Sequence, residues 1–286
     1  MAKKKVTMLF VALVFVASCA LFPQSPEAAT EWLVLKTIDL KAAPLDVAPS
    51  LDGQWIFILT RGELHTYSVP EGKITDQIPV DKEFDRIASF PQPNALTISS
   101  STKKTVQMVM LQPVYRIDVT NAPFNGPQDA PVTLVVFDDY QCPYCKALEP
   151  VLQQVLTKYP KEAKLVVKQF PLSQIHDFAR KAAIAALAAS KQGKFWEMHS
   201  KLFANQEQLS DAKVEEIARE LKLDMKKFTE DQKDPTIASQ IDTDTKHAVE
   251  AKVPGTPAIY INGKLLNQRS LAGFQQAIDG ELKKVQ

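Results

Sequence analysis

Two cysteines separated by a Pro-Tyr pair, Cys142 and Cys145, carry the chemistry that this sequence indicates most clearly. The apolar run Val132–Phe137 precedes them, and a helical pattern begins near Lys146. The thiolate is the reactive form of cysteine, and the free N–H groups of a first helical turn stabilise negative charge. We therefore predict that Cys142, at the exposed start of the helix, is the acidic attacking thiol. Cys145, one turn further in, is predicted to be the buried resolving thiol.

A zinc site and an inert structural disulfide are the other uses of such a cysteine pair. A structural zinc site needs four ligands, and this sequence contains no second C-x-x-C motif and no paired histidines. Its histidines are scattered, at His65, His176, His199 and His247. A disulfide within C-x-x-C closes very little chain, so it would stabilise the fold only slightly. We interpret the pair as a redox-active disulfide that needs no further cofactor.

Length and composition set the broad class. The chain has 286 residues, enough for two domains, and 45% hydrophobic with 23% charged residues is ordinary for globular proteins. The formal net charge of +1 provides no basic field, so we expect no nucleic-acid partner.

The first thirty residues have the pattern of an export signal. Three lysines at 3–5 precede the apolar run Val6–Ala17, which is too short to span a bilayer. The following Val-Ala-Ser-Cys resembles a bacterial lipobox, so residues 1–19 are predicted as a signal peptide with Cys19 as the lipidated residue. Secretory cleavage after Ala20 is the alternative, and either route exports the protein. Residues 20–30 are predicted as a tether.

Residues 31–119 are predicted as an all-β domain of about two blade-like repeats. Its strands are predicted at Trp32–Leu40, Leu45–Ala48, Gln54–Thr60 and Leu64–Val69. The tripeptide Ile38-Asp39-Leu40 recurs forty residues later as Ile78-Pro79-Val80, a period typical of propeller blades. Because a closed propeller needs at least about four blades, we expect either a compact pair of sheets or completion by self-association.

The sequence changes to an α/β pattern after a Pro- and Gly-rich stretch at 120–131, which is predicted as a linker. The second domain, 132–286, reads as strand, helix and strand, then a helical insert at about 173–252, then a hairpin and a terminal helix. A strand that ends in C-x-x-C at a helix start, with this order of elements, predicts a thioredoxin fold interrupted by a helical subdomain.

Residues from about 123 to 284 resemble the DsbA-like thioredoxin-fold thiol–disulfide oxidoreductases of bacterial envelopes. The resemblance rests on four segments in order: GPQDAPVTLVVFDDYQCPYC, FPLSQIHDFARKAAIAALAA, GKFWEMHSKLFANQ and VPGTPAIYINGKLL. It implies that the Thr256–Pro257 peptide bond is cis and faces the cysteines. Thr256 and Pro257 then join Cys142 and Cys145 as candidate catalytic residues, with Thr256 closest to the sulfurs.

The sequence departs from the family at one position. Many thioredoxin-like proteins carry a buried acid six residues before the first cysteine, and here that position is Val136. Asp138 and Asp139 lie nearer the motif, and either could substitute for that acid, but we interpret them as solvated turn residues, which would leave the proton of Cys145 to water. His176 is interpreted as structural.

The resemblance implies an exported thiol–disulfide oxidoreductase that exchanges disulfides with envelope proteins. Its expected partners are protein thiols and disulfides, a membrane redox protein that recycles the dithiol, and lipid if Cys19 is modified. One alternative is a disulfide isomerase or reductase that dimerises through the N-terminal β domain. The other is a partner-binding protein that uses the β repeats.

Overall fold

A computed structural model describes residues 31–92 and 94–284. Its elements in chain order are β1 (Asp46–Pro49), β2 (Trp55–Thr60), β3 (Glu63–Ser68), β4 (Lys73–Pro79), β5 (Arg86–Ser89), β6 (Ala95–Ser100), β7 (Thr105–Met110), β8 (Phe124–Asn125), β9 (Val132–Asp138), α1 (Pro143–Lys158), β10 (Ala163–Gln169), α2 (Ala179–Ser190), α3 (Phe195–Ala204), α4 (Asp211–Glu220), α5 (Met225–Asp231), α6 (Pro235–Glu250), β11 (Ala258–Ile261), β12 (Lys264–Leu265) and α7 (Leu271–Leu282). The predicted signal peptide, the lipobox at Cys19 and the tether lie outside the described residues.

The N-terminal region consists of two antiparallel meanders, β1-β2-β3-β4 and β5-β6-β7. Strands β1 and β5 start 40 residues apart, and so do β2 and β6, so the sequence period corresponds to the strands. Inward-facing apolar residues such as Phe57, Leu59 and Leu96 form one shared core. The Ile87 N–H donates to Asp46 Oδ2 at 2.9 Å and joins the two sheets. Seven strands in two sheets make a compact pair rather than a closed propeller.

One predicted strand is absent. The segment Trp32–Leu40 has no strand pairing, and its apolar side chains are exposed, with Trp32 at 87% and Leu35 at 90%. Its composition favours a strand, but a strand forms only where a neighbouring edge supplies hydrogen-bond partners. Within the described chain no edge pairs with it, so the prediction was wrong at this position.

The C-terminal domain is built on a five-stranded sheet in the order β12-β11-β9-β10-β8. The central strand β9 runs parallel to β10 and antiparallel to β11. Alternate residues of β9 face opposite sides, so Leu134 and Val136 pack with α1 and α7, while Val135 and Phe137 pack with the end of α6. The sheet is thus covered on both faces, which accounts for the continuous apolar run Val132–Phe137.

Five helices, α2 to α6, are inserted between β10 and β11. The alanines of α2 are buried and let α3, α4 and α6 pack closely against it. The Ser210 hydroxyl accepts from the Lys213 N–H and caps α4. This arrangement confirms the thioredoxin fold with a helical insert. In the described ranges, no helix combines the length and the apolar character needed to cross a membrane.

The stretch at 120–131, predicted as a linker, lies against the C-terminal sheet. Strand β8 pairs with β10, and Ala122 is buried among residues of that domain. Gly126 has φ +114°, and a Cβ there would lie 2.6 Å from the Ala163 carbonyl oxygen. The glycine therefore serves a close backbone approach, which composition alone does not distinguish from a free connection.

The domain contacts extend further upstream. The Tyr115 ring meets Tyr260 edge-on at 5.8 Å, and the Tyr115 N–H donates to the Gly263 carbonyl at 2.8 Å. Ile117 and Val119 pack on the same face of the sheet. Tyr115, Ile117 and Val119 therefore pack with the C-terminal domain although they precede its predicted start at 132.

Candidate active site

The two cysteines lie where β9 passes into α1. The strand ends at Asp138, the chain turns through Asp139, and Cys142 is the N-cap of α1 with Pro143 as its first residue. The Cys142 N–H donates to the Asp139 carbonyl at 3.0 Å and closes this turn. There is no acid in the first turn of α1 to oppose a thiolate. The local sequence thus places both sulfurs at the positive end of a sixteen-residue helix.

Both thiols are free and both residues are largely covered, Cys142 at 4% exposure and Cys145 at 0%. The sequence predicted a more exposed Cys142. The difference arises because the loop before β11 lies over it, with the Thr256 carbonyl oxygen 3.3 Å from Cys142 Sγ.

The surroundings drive the two thiol pKa values apart. A hydrogen bond from the Cys145 thiol is the largest cause that lowers the pKa of Cys142 to about 5. Burial opposes it, and the Thr256 side chain and the N–H groups of Tyr144 and Cys145 assist it. Burial raises the pKa of Cys145 far above its usual range, and hydrogen bonding to Cys142 adds to the effect. Cys142 is therefore a thiolate at neutral pH, and Cys145 is a thiol.

The loop that contains Thr256 and Pro257 lies against the cysteines. The Thr256–Pro257 peptide bond is cis, as the family resemblance implied. The Thr256 hydroxyl is buried and has no other hydrogen-bond partner among the described residues, so it is free to donate to a thiolate. The preceding Gly255 has φ +153°, a conformation that a side chain would strain. The structure thus brings all four candidate catalytic residues of this domain together.

Asp138 and Asp139 are buried, at 2% and 1% exposure, so their interpretation as solvated turn residues was wrong. Asp138 follows Val136 by two positions on the strand, so both side chains lie on the face of β9 that packs against α1. A buried acid is therefore present, two residues later than in the family pattern. Burial is the main cause that raises the pKa of Asp138 to about 7, and the charge of Glu149 adds to it. Interactions with His199 and the Cys145 thiol oppose the rise.

Asp139 stabilises the turn before Cys142 rather than acting on the thiols. Its Oδ2 accepts from the Leu172 N–H at 2.8 Å and lies 2.8 Å from His176 Nδ1. Its Oδ1 accepts from the Gln141 N–H at 2.8 Å. These contacts tie the C-x-x-C loop to the chain after β10, which fits the structural role predicted for His176.

Sequence reasoning missed three polar side chains near the thiols. Glu149 and His199 approach Asp138, and one ligand atom from each of the three lies within 4.8 Å of the others. This is the one group of acids and histidines in the described ranges with the spacing of a metal site. Tyr140 completes the set through a 2.9 Å contact between its hydroxyl and His199 Nδ1. The sequence did contain a signal that Glu149 lies near the thiols, because it follows Cys145 by four residues and so shares its helix face.

Comparison with known proteins places this geometry in context. The thioredoxin family matches residues 119–280. A probable disulfide bond formation protein D from Bacillus cereus is 31% identical over 169 residues, which cover 56% of this chain and 78% of that protein. A thioredoxin-like oxidoreductase from Silicibacter pomeroyi, known from its crystal structure, is 30% identical with a TM-score of 0.52. The match covers 57% of this chain and 94% of that one.

A different kind of relative shares a similar segment. The Na(+)/H(+) antiporter NhaA 3 of Salinispora tropica is 40% identical over 139 residues, which cover 49% of this chain. Those residues cover only 21% of the antiporter, so the chain spans about a fifth of that relative.

Proposed function

This chain belongs to the thioredoxin family, and on that premise we propose that it is a thiol–disulfide oxidoreductase of the DsbA type that acts on proteins of the cell envelope. One observation carries the proposal: the two thiols at the start of α1 differ sharply in acidity. Cys142, with its pKa lowered to about 5, is the nucleophile. Cys145 is held as a buried thiol beside the acid Asp138. Such a pair is suited to two successive thiol–disulfide exchanges.

The exchange proceeds through a mixed disulfide. The Cys142 thiolate attacks one sulfur of a client disulfide, a bond forms between the two, and the other client sulfur leaves as a thiolate that water protonates. The Cys145 thiol then loses its proton, and its sulfur attacks Sγ of Cys142. The Cys142–Cys145 disulfide forms, the bond to the client breaks, and two electrons have passed to the client. The same steps in reverse donate a disulfide.

The client is expected to lie along the loop at Thr256. The backbone around a loop of this kind is able to pair with an extended client segment and hold its sulfur against Cys142. Tyr144, which is exposed beside the cysteines, supplies an apolar contact surface. The clients are proteins with accessible thiols or disulfides.

Trapping of intermediates tests this order of attack. We expect Cys145→Ser to accumulate mixed disulfides with client proteins, because the bond to Cys142 then has no intramolecular exit. Cys142→Ser, the matched control, should accumulate none. Non-reducing gels of cells that express each variant, with and without reductant, provide the measurement. Equal trapping by the two variants would contradict the assignment of nucleophile and resolving thiol.

We further propose export, with a lipid anchor on Cys19 and a membrane redox protein that recycles the dithiol. The support is the lysine-rich, apolar pattern of residues 1–19 and the compartment in which disulfide exchange operates. We expect Cys19→Ala to move the protein from the membrane to the soluble fraction of the envelope without loss of disulfide exchange. A wild-type protein that is already soluble would point to ordinary secretory cleavage.

A dimeric isomerase or reductase is the second candidate, because the second β sheet has an open edge. Strand β7 is its outermost strand, and Val106 and Met108 on it are 72% and 75% exposed. An open apolar edge is prone to pair with another copy of the same chain. Light scattering of the purified protein distinguishes this candidate, since a monomer at micromolar concentration excludes it.

A further inference from the structure

Three ionisable side chains from three elements meet beside the Cys145 thiol. Asp138 comes from the end of β9, Glu149 from α1 and His199 from α3. Asp138 and His199 are fully enclosed, whereas the Glu149 side chain keeps 16% exposure. Glu149 is therefore the member of the cluster that reaches solvent.

The contacts hold His199 between two groups. Its Nδ1 lies 2.9 Å from the Tyr140 hydroxyl, and its Nε2 lies 3.1 Å from Glu149 Oε1. The rings of Phe195 and Phe203 pack against the imidazole, with centroids 5.5 and 5.0 Å away. The imidazole is thus held with its Nε2 beside Glu149, and an Asp138 oxygen lies within 4.8 Å of the ligand atoms of both residues.

The Asp138 carboxyl group is in a position to exchange a proton with the Cys145 thiol. Both of its carboxylate oxygens are buried and lack a hydrogen-bond partner among the described residues. An unpaired buried carboxylate is costly, so the group favours its protonated form. When Cys145 passes between thiol and disulfide, however, a proton has to leave or enter this enclosed site. Asp138 is the group beside the sulfur, and it has no direct contact with solvent.

We propose that His199 and Glu149 carry this proton between Asp138 and solvent. The proposal rests on the proposed disulfide exchange. As the Cys145 sulfur attacks Sγ of Cys142, its proton passes to the Asp138 carboxylate, and the client leaves as a thiolate. With Nδ1–H donating to Tyr140, the Nε2 of His199 accepts the proton from Asp138. His199 then releases it to Glu149 and on to water, and the reverse exchange uses the same route inward.

The point at which the proton reaches solvent lies apart from the expected client site. Glu149 lines an open surface cavity whose walls come from α1, α3, Asn125 and Leu221. The client is expected at Cys142 and Thr256, so a bound client leaves the proton route open to solvent. A path that opens away from the reacting sulfurs is useful because the resolving step occurs while the client still covers the active site.

The pH dependence of the resolving step is expected to follow the titration of Asp138, and several ionisable groups face this residue. These are Glu149 and Cys145 from α1, His199 from α3, and Cys142 and Tyr140 from the connecting loop. The charge on Glu149 raises the pKa of Asp138, so removal of that charge is expected to lower it. A residue that served packing alone would leave this titration unchanged.

The test separates the two thiol steps with the disulfide reagent dithiobis(nitrobenzoate). It releases one coloured thiolate when Cys142 attacks and a second when Cys145 resolves the adduct. In the wild type we expect the second phase to accelerate with pH through a break near 7. In Glu149→Gln we expect a second phase slower by at least about tenfold, a break at lower pH and an unchanged first phase. Glu197→Gln is the matched control, because it makes the same chemical change on a wall of the same cavity. Glu197 pairs with Lys194, so this variant should show the kinetics of the wild type.

Chemical rescue provides the second readout. Glu149→Ala leaves space for a small acid, so formate should restore the second phase, and chloride at equal ionic strength should not. A wild-type second phase and pH break in Glu149→Gln would overturn the proposal. Stoichiometric zinc binding to the reduced protein that Glu149→Gln abolishes would also overturn it, because the cluster would then be a metal site. A wild type that shows no second phase would instead refute the proposed disulfide exchange.

Discussion

Cys142 and Cys145 lie one helical turn apart, and burial acts on both in the same direction, yet their pKa values separate. At Cys142 the hydrogen-bond donors outweigh burial, because the Cys145 thiol, the Thr256 side chain and two backbone N–H groups all favour the thiolate. At Cys145 burial is the largest contribution, and its role as donor to Cys142 raises its pKa further. The hydrogen bond between the two thiols and the deeper burial of Cys145 therefore decide which sulfur attacks.

The Thr256 hydroxyl offers a direct test of this balance. We expect Thr256→Val, which keeps the shape and removes the hydroxyl, to raise the pKa of Cys142 by about one to two units, since a hydrogen bond to a charged group contributes about 1.5–3 kcal/mol. Thr256→Ser keeps the donor and should leave the pKa near 5. The rate of iodoacetamide alkylation across pH measures it, with the plateau reached at higher pH in Thr256→Val. An identical titration in the valine and serine variants would remove Thr256 from thiolate stabilisation.

Local motifs predicted some residues of the site and not others. Cys142, Cys145 and Thr256 lie in short segments whose spacing indicates chemistry. Asp138 and His199 are 61 positions apart and meet only when α3 packs against α1. His199 lies on the buried face of its helix, where an unremarkable core position and a proton carrier have the same sequence pattern.

At the scale of elements, the insert is joined to the sheet by a buried ion pair. Lys168 Nζ on β10 lies 2.6 Å from Asp244 Oδ1 on α6, and both side chains are 2% exposed. Asp244 Oδ2 also accepts from the Gln169 N–H at 2.9 Å. Removal of one partner leaves a buried charge unpaired, and this lowers the free energy of unfolding by more than the intact pair contributes to it.

We expect Lys168→Met to lower the free energy of unfolding by about 3–5 kcal/mol. The double variant Lys168→Met with Asp244→Asn should recover much of this loss, because the amide oxygen still accepts from Gln169 and no charge is stranded. Lys181→Met removes an exposed pair with Asp211 and should cost less than about 1 kcal/mol. Urea unfolding of the four proteins gives the comparison. A double variant as unstable as Lys168→Met would show that packing, not the stranded charge, sets the cost.

Elements with strong internal patterns were predictable from the sequence, and those that depend on a distant partner were not. Strand β2 appears in the structure within one residue of its predicted bounds, Gln54–Thr60, and α1 begins three residues before its predicted start near Lys146. The segment Trp32–Leu40 has the same strand-like composition but finds no partner edge. Strand β8 is only two residues long and exists because β10 offers an edge, so its own sequence does not reveal it.

At the scale of the whole molecule, the two regions meet through few specific contacts among residues 31–92 and 94–284. The Gln112 side-chain amide donates to the Leu265 carbonyl at 3.3 Å, and the Lys252 ammonium lies 5.8 Å from the Trp55 ring centroid. Each region has its own apolar core. We therefore expect the redox unit to fold without the β meanders, provided that the cut is made in the right place.

The place of the cut is the sharpest whole-molecule prediction. A chain that begins at Pro113 keeps Tyr115, Ile117 and Val119 on the sheet, whereas one that begins at Ala122 loses them and the Tyr115–Gly263 hydrogen bond. Half-buried apolar side chains contribute about 1 kcal/mol or more each, so we expect the shorter chain to unfold roughly 10 °C lower. Both chains keep Cys142 and Cys145.

Thermal melting, insulin reduction and light scattering of the two chains beside the full protein provide the measurements. The Pro113 chain should reduce insulin at the full protein's rate, because every residue that contacts the sulfurs lies beyond the cut. If the full protein self-associates through the open edge of β7, both shortened chains should be monomers. Equal melting temperatures for the two chains would place the boundary at 120–131 after all. An unfolded Pro113 chain would show that the meanders and the redox domain form one cooperative unit.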